Sequence, residues 1–406
     1  MQAPLAHIRV LDLSRVLAGP WASQILADLG AEVIKVERPG YGDDTRLWGP
    51  PFLKSSTDDT QKDGGYFMAA NRGKKSITVD LQTAQGQQII RQLAAESDIV
   101  LENYKVGTLE RLGLGYNDLT KVNPKLIYCS VTGFGQTGPR AKQPAYDFLI
   151  QAMGGLMSVT GERDDSPGGG PQKVGVPIID LVTGVYASAA MLAAIVSRYE
   201  TGEGQYIDLA MLDVQIGLLA NQAMNYLISG QNPKRTGTAH PNIQPQRIFK
   251  CADADIVIVV GNDGQFRAFC DVIGHPELKT DVRFMTNGQR VINQDILNPI
   301  LDRELAKKPR SYWLEQLLLA NIPAGPINTI SEVFEEPQVQ HREMLAHYEH
   351  PAYGLVPQVL SPFRFNGLPS QNKMPPPMLG EHTESILQSL NYSTDQIQTF
   401  KKNNVI

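Results

Sequence analysis

Six short apolar runs recur through the first 210 residues, at 8–13, 32–37, 76–81, 98–101, 126–130 and 205–209, most of them separated by helix-like stretches. Strands spaced this far apart pair in parallel through crossover helices, which cover both faces of the resulting sheet. The expected fold class is therefore α/β, a doubly wound Rossmann-like sheet. Pro20 suits the start of the first crossover helix and Gly30 its C-terminal stop. The turn between strand and helix reads Val16-Leu17-Ala18-Gly19-Pro20 and lacks the glycine fingerprint of a dinucleotide site, which removes nicotinamide cofactors from this position.

A chain of 406 residues exceeds what one core usually holds. Residues 230–247 are polar and carry Pro233, Pro241 and Pro245; two apolar runs then flank Ala252-Asp253-Ala254-Asp255 in the pattern of a hairpin. The predicted organisation is a large α/β domain, 1–229 completed by 327–406, and a smaller α+β domain, 230–326. A net charge of −5 offers no broad basic field, which argues against nucleic acid and anionic membrane as partners. Cys129, Cys251 and Cys270 form no CxxC pair, and no export signal precedes the first strand, so a reducing, cytoplasmic setting is expected. The uncharged run 181–197 is interrupted by Thr183, Gly184 and Ser188 and reads as a buried core helix. His341, His347 and His350 lack metal-ligand spacing, so no metal is expected. No Gly-x-Ser-x-Gly elbow and no P-loop occur, which sets aside serine hydrolases and nucleoside-triphosphate enzymes.

Chemistry concentrates at a few places. Asp180 stands where a proline-broken approach, Val176-Pro177, meets a long apolar helix. As an N-cap its oxygen would accept a first-turn amide. As a reactive carboxylate it would be kept ionised by the helix N-terminus and made nucleophilic by apolar neighbours that exclude water. Arg38, Arg46, Arg72, Lys74, Lys75 and Arg111 fall in loops or at element ends; such cations suit a phosphate-bearing ligand as well as a solvated surface. Gly261-Asn262-Asp263-Gly264-Gln265 is either a strand-to-helix turn capped by Asp263 or a mobile lid. The strand exit Gly133-Phe134-Gly135-Gln136-Thr137-Gly138-Pro139 lies where open α/β sheets collect ligands.

Taken in order, seven blocks resemble the class III coenzyme A transferases, from about residue 6 to the C-terminus. They begin with Val10-Leu11-Asp12-Leu13-Ser14-Arg15-Val16-Leu17-Ala18-Gly19-Pro20, Glu32-Val33-Ile34-Lys35-Val36-Glu37-Arg38 and Val100-Leu101-Glu102-Asn103-Tyr104. The strand exit 133–139, the Asp180 stretch, the loop 261–265 and Leu379-Gly380-Glu381-His382-Thr383 follow. The resemblance implies that Asp180 is a nucleophile that becomes an aspartyl-CoA thioester. It implies that Arg38, Lys74, Asn103, Arg111 and Tyr146 contact coenzyme A, and that Gly261, Asn262, Asp263, Gly264 and Gln265 form a lid over the carboxylate. It also implies an interlocked homodimer, with acyl-CoA and a carboxylic acid as substrates and no permanently bound cofactor. Formyl-CoA transferases carry His and Gln where this chain has Arg15 and Leu17, and a run of glycines in the lid. The blocks 46–52, 127–130 and 235–240 look more like the succinyl-CoA:glutarate branch. The expected donor is succinyl-CoA and the expected acceptor a short dicarboxylate such as glutarate, its far carboxylate paired with Arg15 or Arg46. The alternatives are an α-methylacyl-CoA racemase, disfavoured because Tyr146 stands where racemases carry His, and a non-catalytic acyl-CoA-binding protein.

Overall fold

The computed structural model describes residues 3–55, 62–369 and 372–406. Its central sheet contains the six expected strands, β1 (Arg9–Asp12), β2 (Glu32–Glu37), β3 (Lys74–Thr78), β4 (Ile99–Glu102), β5 (Ile127–Thr132) and β6 (Tyr206–Ala210). All pair in parallel, in the spatial order β3-β2-β1-β4-β5-β6. Because side chains alternate along a strand, Val10 and Leu11 belong to different cores. Val10 packs with Val33, Ile99, Ile127, Ile179 and Met191 on one face. Leu11 packs with Ile34, Val100, Ile89 and Leu387 on the other. Both faces are thus apolar, as a doubly wound sheet requires.

Helix α1 (Ala18–Asp28) carries the chain from β1 to β2, and α2 (Ala84–Ala95) from β3 to β4. A short helix, α3 (Asp147–Met153), precedes α4 (Ile178–Thr201), the longest in the chain. By length and composition α4 is apolar enough to cross a membrane, but half of it is buried in this unit, where Ile179, Ala187, Met191 and Ala194 join the core beneath α1. Gly184 makes the α1–α4 approach possible. A Cβ there would come within 2.8 Å of the Ala18 carbonyl oxygen and 2.9 Å of the Trp21 ring. The stretch that follows β6 forms two helices, α5 (Met211–Leu218) and α6 (Ala220–Ser229), divided where Ala220 takes a left-handed φ of 43°.

The chain forms two compact units. Met1–Leu156, Val174–Ala223 and Gln338–Ile406 make the first, and Met157–Lys173 with Met224–Pro337 the second. The second is built on an antiparallel sheet, β7 (Gln246–Lys250), β8 (Asp255–Val259) and β9 (Ala324–Pro326), in the order β9-β8-β7. Phe249, Ile258, Phe266, Phe269, Leu301 and Trp313 form its core. The turn before α7 (Asp263–Val272) contains the glycine loop.

Candidate active site

A strand order of 3-2-1-4-5-6 reverses direction between β1 and β4, and the loops leaving their carboxyl ends splay apart there. Two adjoining cavities of the first unit lie at this place. The smaller, about 170 Å³, is lined by Arg15, Leu17, Asn103, Tyr146, Met211 and Asp180. The larger, about 670 Å³, is lined by Arg38, Tyr41, Asp44 and Gln82, and shares Arg15 and Tyr104 with the smaller.

Asp180 is not the N-cap of its helix. That position is Pro177, which offers no side-chain cap, and Asp180 is the third helical residue. The cap comes from another helix: Oδ2 of Asp147 accepts the amides of Ile179 at 2.7 Å and Asp180 at 3.4 Å. Gln151 holds the other oxygen of Asp147 at 2.6 Å. The Asp180 carboxylate is thereby left free. It is 9% exposed and accepts no hydrogen bond among the described residues. Removal from water, and then the negative charge of Asp147, push its carboxyl up to about 7. Position in the first turn of a long helix works the other way, favouring the anion. Gly184, four residues on and hence on the same helix face, seats that face against α1. Tyr66, which the sequence reading overlooked, lies within the field of both carboxylates; burial and then Asp180 and Asp147 raise its phenol to about 12, so it remains a donor.

The cations sort into two groups. Arg38 lines the larger cavity, exposed, its guanidinium 4.6 Å above the Tyr41 ring. Arg15 lines both cavities, 3.2 Å from Asp44 and over the ring of Tyr104. Lys105 and Lys142, not singled out from sequence, add two exposed ammonium groups around Asp180. Tyr146 lines the same pocket and is exposed. Asn103 also lines it, but its amide clamps the backbone of Arg15, accepting from the nitrogen at 2.9 Å and donating to the oxygen at 2.7 Å.

Three of the remaining cations, Lys74, Arg46 and Arg72, are spent inside the protein. Lys74 has no exposure, and its ammonium donates to Asn71, the Pro20 carbonyl and Asp12. Burial drives it down to about 7, with Asp12 pulling the other way. Its expected role as a phosphate contact is corrected: it is an interior group beneath the first turn. Arg46 is likewise buried, paired with Glu37 at 2.7 Å and Asp63 at 2.8 Å and bonded to the Pro377 carbonyl. Four of its donor directions are used, so it is no partner for a substrate carboxylate. Arg72 pairs with Asp28 at 2.5 Å. Arg111 is exposed, touches Thr108 at 3.4 Å and lines neither cavity.

In the second unit, the glycine loop is the capped start of α7. Asn262, not Asp263, is the N-cap, accepting from the Gln265 amide at 2.9 Å, while Gln265 Oε1 accepts from the Gly261 amide at 2.8 Å. Asp263 pairs with the fully buried Arg290 at 2.8 Å.

Residues 5–383 match the family model described as CoA-transferase family III. The chain is 47% identical to the succinate–glutarate CoA-transferase of Agrobacterium fabrum over 387 residues, covering 95% of this chain and 96% of that one. It is 43% identical to the succinyl-CoA:glutarate CoA-transferase of Homo sapiens, over 95% and 86% of the two chains. Among solved structures, a CaiB/BaiF family protein from Brucella suis superposes with a TM-score of 0.83 at 46% identity, covering 96% of this chain and all of that one. A match to the family model over residues 5–383, with relatives 43–47% identical along nearly the whole chain, makes this chain a member of CoA-transferase family III.

Proposed function

We propose that this chain transfers coenzyme A from succinyl-CoA to glutarate or a related short dicarboxylate, with Asp180 as the nucleophile. The observation that carries the reading is a carboxylate buried in the pocket without a partner among the described residues. Such a group is poorly solvated, and bond formation to carbon relieves the cost of its charge. An Asp180 oxygen attacks the thioester carbonyl, the C–S bond breaks, and coenzyme A leaves as thiolate with a mixed anhydride behind it. The thiolate then attacks the Asp180 carbonyl carbon and expels succinate, leaving an aspartyl-CoA thioester. A glutarate oxygen attacks that carbonyl and its C–S bond breaks, giving a second mixed anhydride; the released thiolate attacks the glutaryl carbon, forming glutaryl-CoA and freeing the Asp180 carboxylate. Each step exchanges one activated acyl group for another, so none is strongly downhill.

Arg38, with Arg111 on the adjoining surface, is assigned to the phosphates of coenzyme A, and Tyr146 and Asn103 to the wall along which its thiol arm reaches Asp180. Arg15 is assigned to the far carboxylate of the acceptor. Short dicarboxylates should then outperform formate and butyrate by about thirty- to a hundredfold in kcat/KM, the worth of one charge-assisted bond. Arg15→Ala should flatten that preference. The loop 261–265 is proposed to shield the intermediates from water. Gly261 has no positive φ and a Cβ there would meet only Gln265 Oε1 at 3.4 Å, so an approaching ligand is the better reason for that glycine, whereas Gly264 leaves room for the Asn262 cap oxygen, 3.1 Å from where its Cβ would stand. The exposed apolar residues of α4 support a homodimer. Incubation with succinyl-CoA followed by hydroxylamine should place a hydroxamate on Asp180. Full transfer activity in Asp180→Ala would falsify the assignment.

A further inference from the structure

The turn Ser14-Arg15-Val16 leaves β1 and enters the Asp180 pocket, and side chains hold its backbone at five points. The Ser14 amide donates to Asp12 at 2.9 Å, and the Ser14 carbonyl accepts from Lys35 Nζ at 2.9 Å. Arg15 is clamped at both backbone groups by Asn103. The Val16 amide donates to the Asp43 carboxylate, 3.2 and 3.3 Å from its two oxygens. Lys35 and Asp43 are themselves paired at 2.9 Å, both side chains without exposure. Burial alone would raise the Asp43 carboxyl, but Lys35 and the Thr45 amide hold it below the usual range.

This grip surrounds a backbone that resists it. Val16 has a φ of 70°, and a β-branched residue is a true outlier there. Such a conformation persists only where its surroundings over-determine it. A buried ion pair seldom stabilises a fold more than apolar side chains of the same volume. Stability is therefore a poor reason for placing Lys35 and Asp43 under this turn. The turn's other side faces the reaction site: Arg15, Val16, Leu17 and Ala18 all line the pocket that contains Asp180. Among the described residues the amides of Leu17 and Ala18 have no protein acceptor.

We infer that Lys35 and Asp43 are positioning residues for the transfer reaction, holding Val16 in its left-handed conformation and so fixing the pocket wall that faces Asp180. The inference rests on the reading of that pocket as the reaction centre. Both residues line the larger cavity, but neither side chain is exposed to it, so both act through the backbone of 14–16. A wall displaced by about 1 Å costs up to a hundredfold in rate, so the effect belongs in kcat rather than in the KM for acyl-CoA.

Asp43 also caps the turn at Thr45, with its oxygen 3.0 Å from that amide, so loss of activity in Asp43→Asn alone does not identify the route. Coupling to Val16→Gly does, because glycine adopts φ 70° without the grip. Asp43→Asn should lower kcat about ten- to a hundredfold with little change in the KM for succinyl-CoA. In a Val16→Gly background the same replacement should cost at least about tenfold less, well beyond the twofold scatter of independent sites. Val16→Gly alone should raise the melting temperature. Equal losses of kcat in both backgrounds, or a loss confined to KM, would overturn the inference. Should Asp43→Asn fail to fold, the paired replacement Lys35→Met with Asp43→Asn removes both buried charges together and is read by the same comparison. Hydroxylamine capture on the wild type separates the two levels: no adduct on Asp180 sinks the reading of the pocket, whereas an adduct without coupling sinks only the positioning role.

Discussion

An unpaired carboxylate inside a protein makes stability depend on pH in a direction opposite to the usual acidic residue. The Asp180 carboxyl sits at about 7 against 3.8 in an open chain, so the folded state holds its proton more tightly than the unfolded state. The contribution is fully present below the unfolded value and is lost as pH rises through about 7. Asp180→Asn, neutral at every pH, should gain on the wild type as pH rises from 4 to 7 and then hold a constant advantage, on the order of 2–4 kcal/mol at pH 8. Urea unfolding at pH 5 and pH 8 measures it; an equal difference at both would mean that the carboxylate has a partner. With Asp180 as the proposed nucleophile, transfer needs the anion and should fall as pH drops below about 7. Arg46 behaves oppositely to Arg15. Arg46→Ala strands Glu37 and Asp63 in the interior and should cost about 3–5 kcal/mol in stability, without a selective effect on the acceptor. Asp180 was legible as the carboxylate at a helix start. Lys74 and Arg46 were not legible as interior groups, because a run of cations in sequence does not show that Asp12, Glu37 and Asp63 fold onto them. Asp147 caps a helix that begins 31 residues later, a relation that only the packed structure creates.

At the scale of elements, the site depends on how closely two helices approach. Gly184 removes the side chain that would hold α4 away from the Ala18 carbonyl, and Asp180 sits one turn above it. Gly184→Ala gains in helix propensity but forces the helices apart. The net loss should be about 1–3 kcal/mol, the usual cost of overpacking. Because Asp180 moves with its helix, kcat should fall more than the KM for acyl-CoA; steady-state kinetics beside thermal melts distinguish this from simple destabilisation. The succession of apolar runs sufficed to read the parallel sheet, since its two buried faces make the central strands β4 and β5 largely apolar on both sides. The break between α5 and α6 was not readable. Neither glycine nor proline marks it, only the left-handed φ of Ala220.

On the scale of the whole molecule, one surface is not explained by a single chain. Along α4 the face opposite Ala187 and Met191 carries Val185 and Val196, 51% and 63% exposed, three turns apart on one side of the helix. Both are aliphatic, and Ala189 and Ala193 between them are exposed as well. A 24-residue helix that buries one side in its own core and leaves the other apolar is suited to a second copy of itself. Composition did not show this, because the run 181–197 is uncharged on all sides and only the fold decides which half is covered. The expected mass in solution is therefore twice the 44.6 kDa of one chain. Val185→Glu with Val196→Glu places two charges where the partner would exclude water, a cost of several kcal/mol that a standard interface cannot absorb. In a lone chain the same substitutions lie in solvent and should leave the fold intact. Sedimentation at micromolar concentration should show the wild type at the doubled mass and the double variant at 44.6 kDa. A doubled mass retained by that variant would move the interface off this helix, and a wild type that sediments as one chain would remove it altogether.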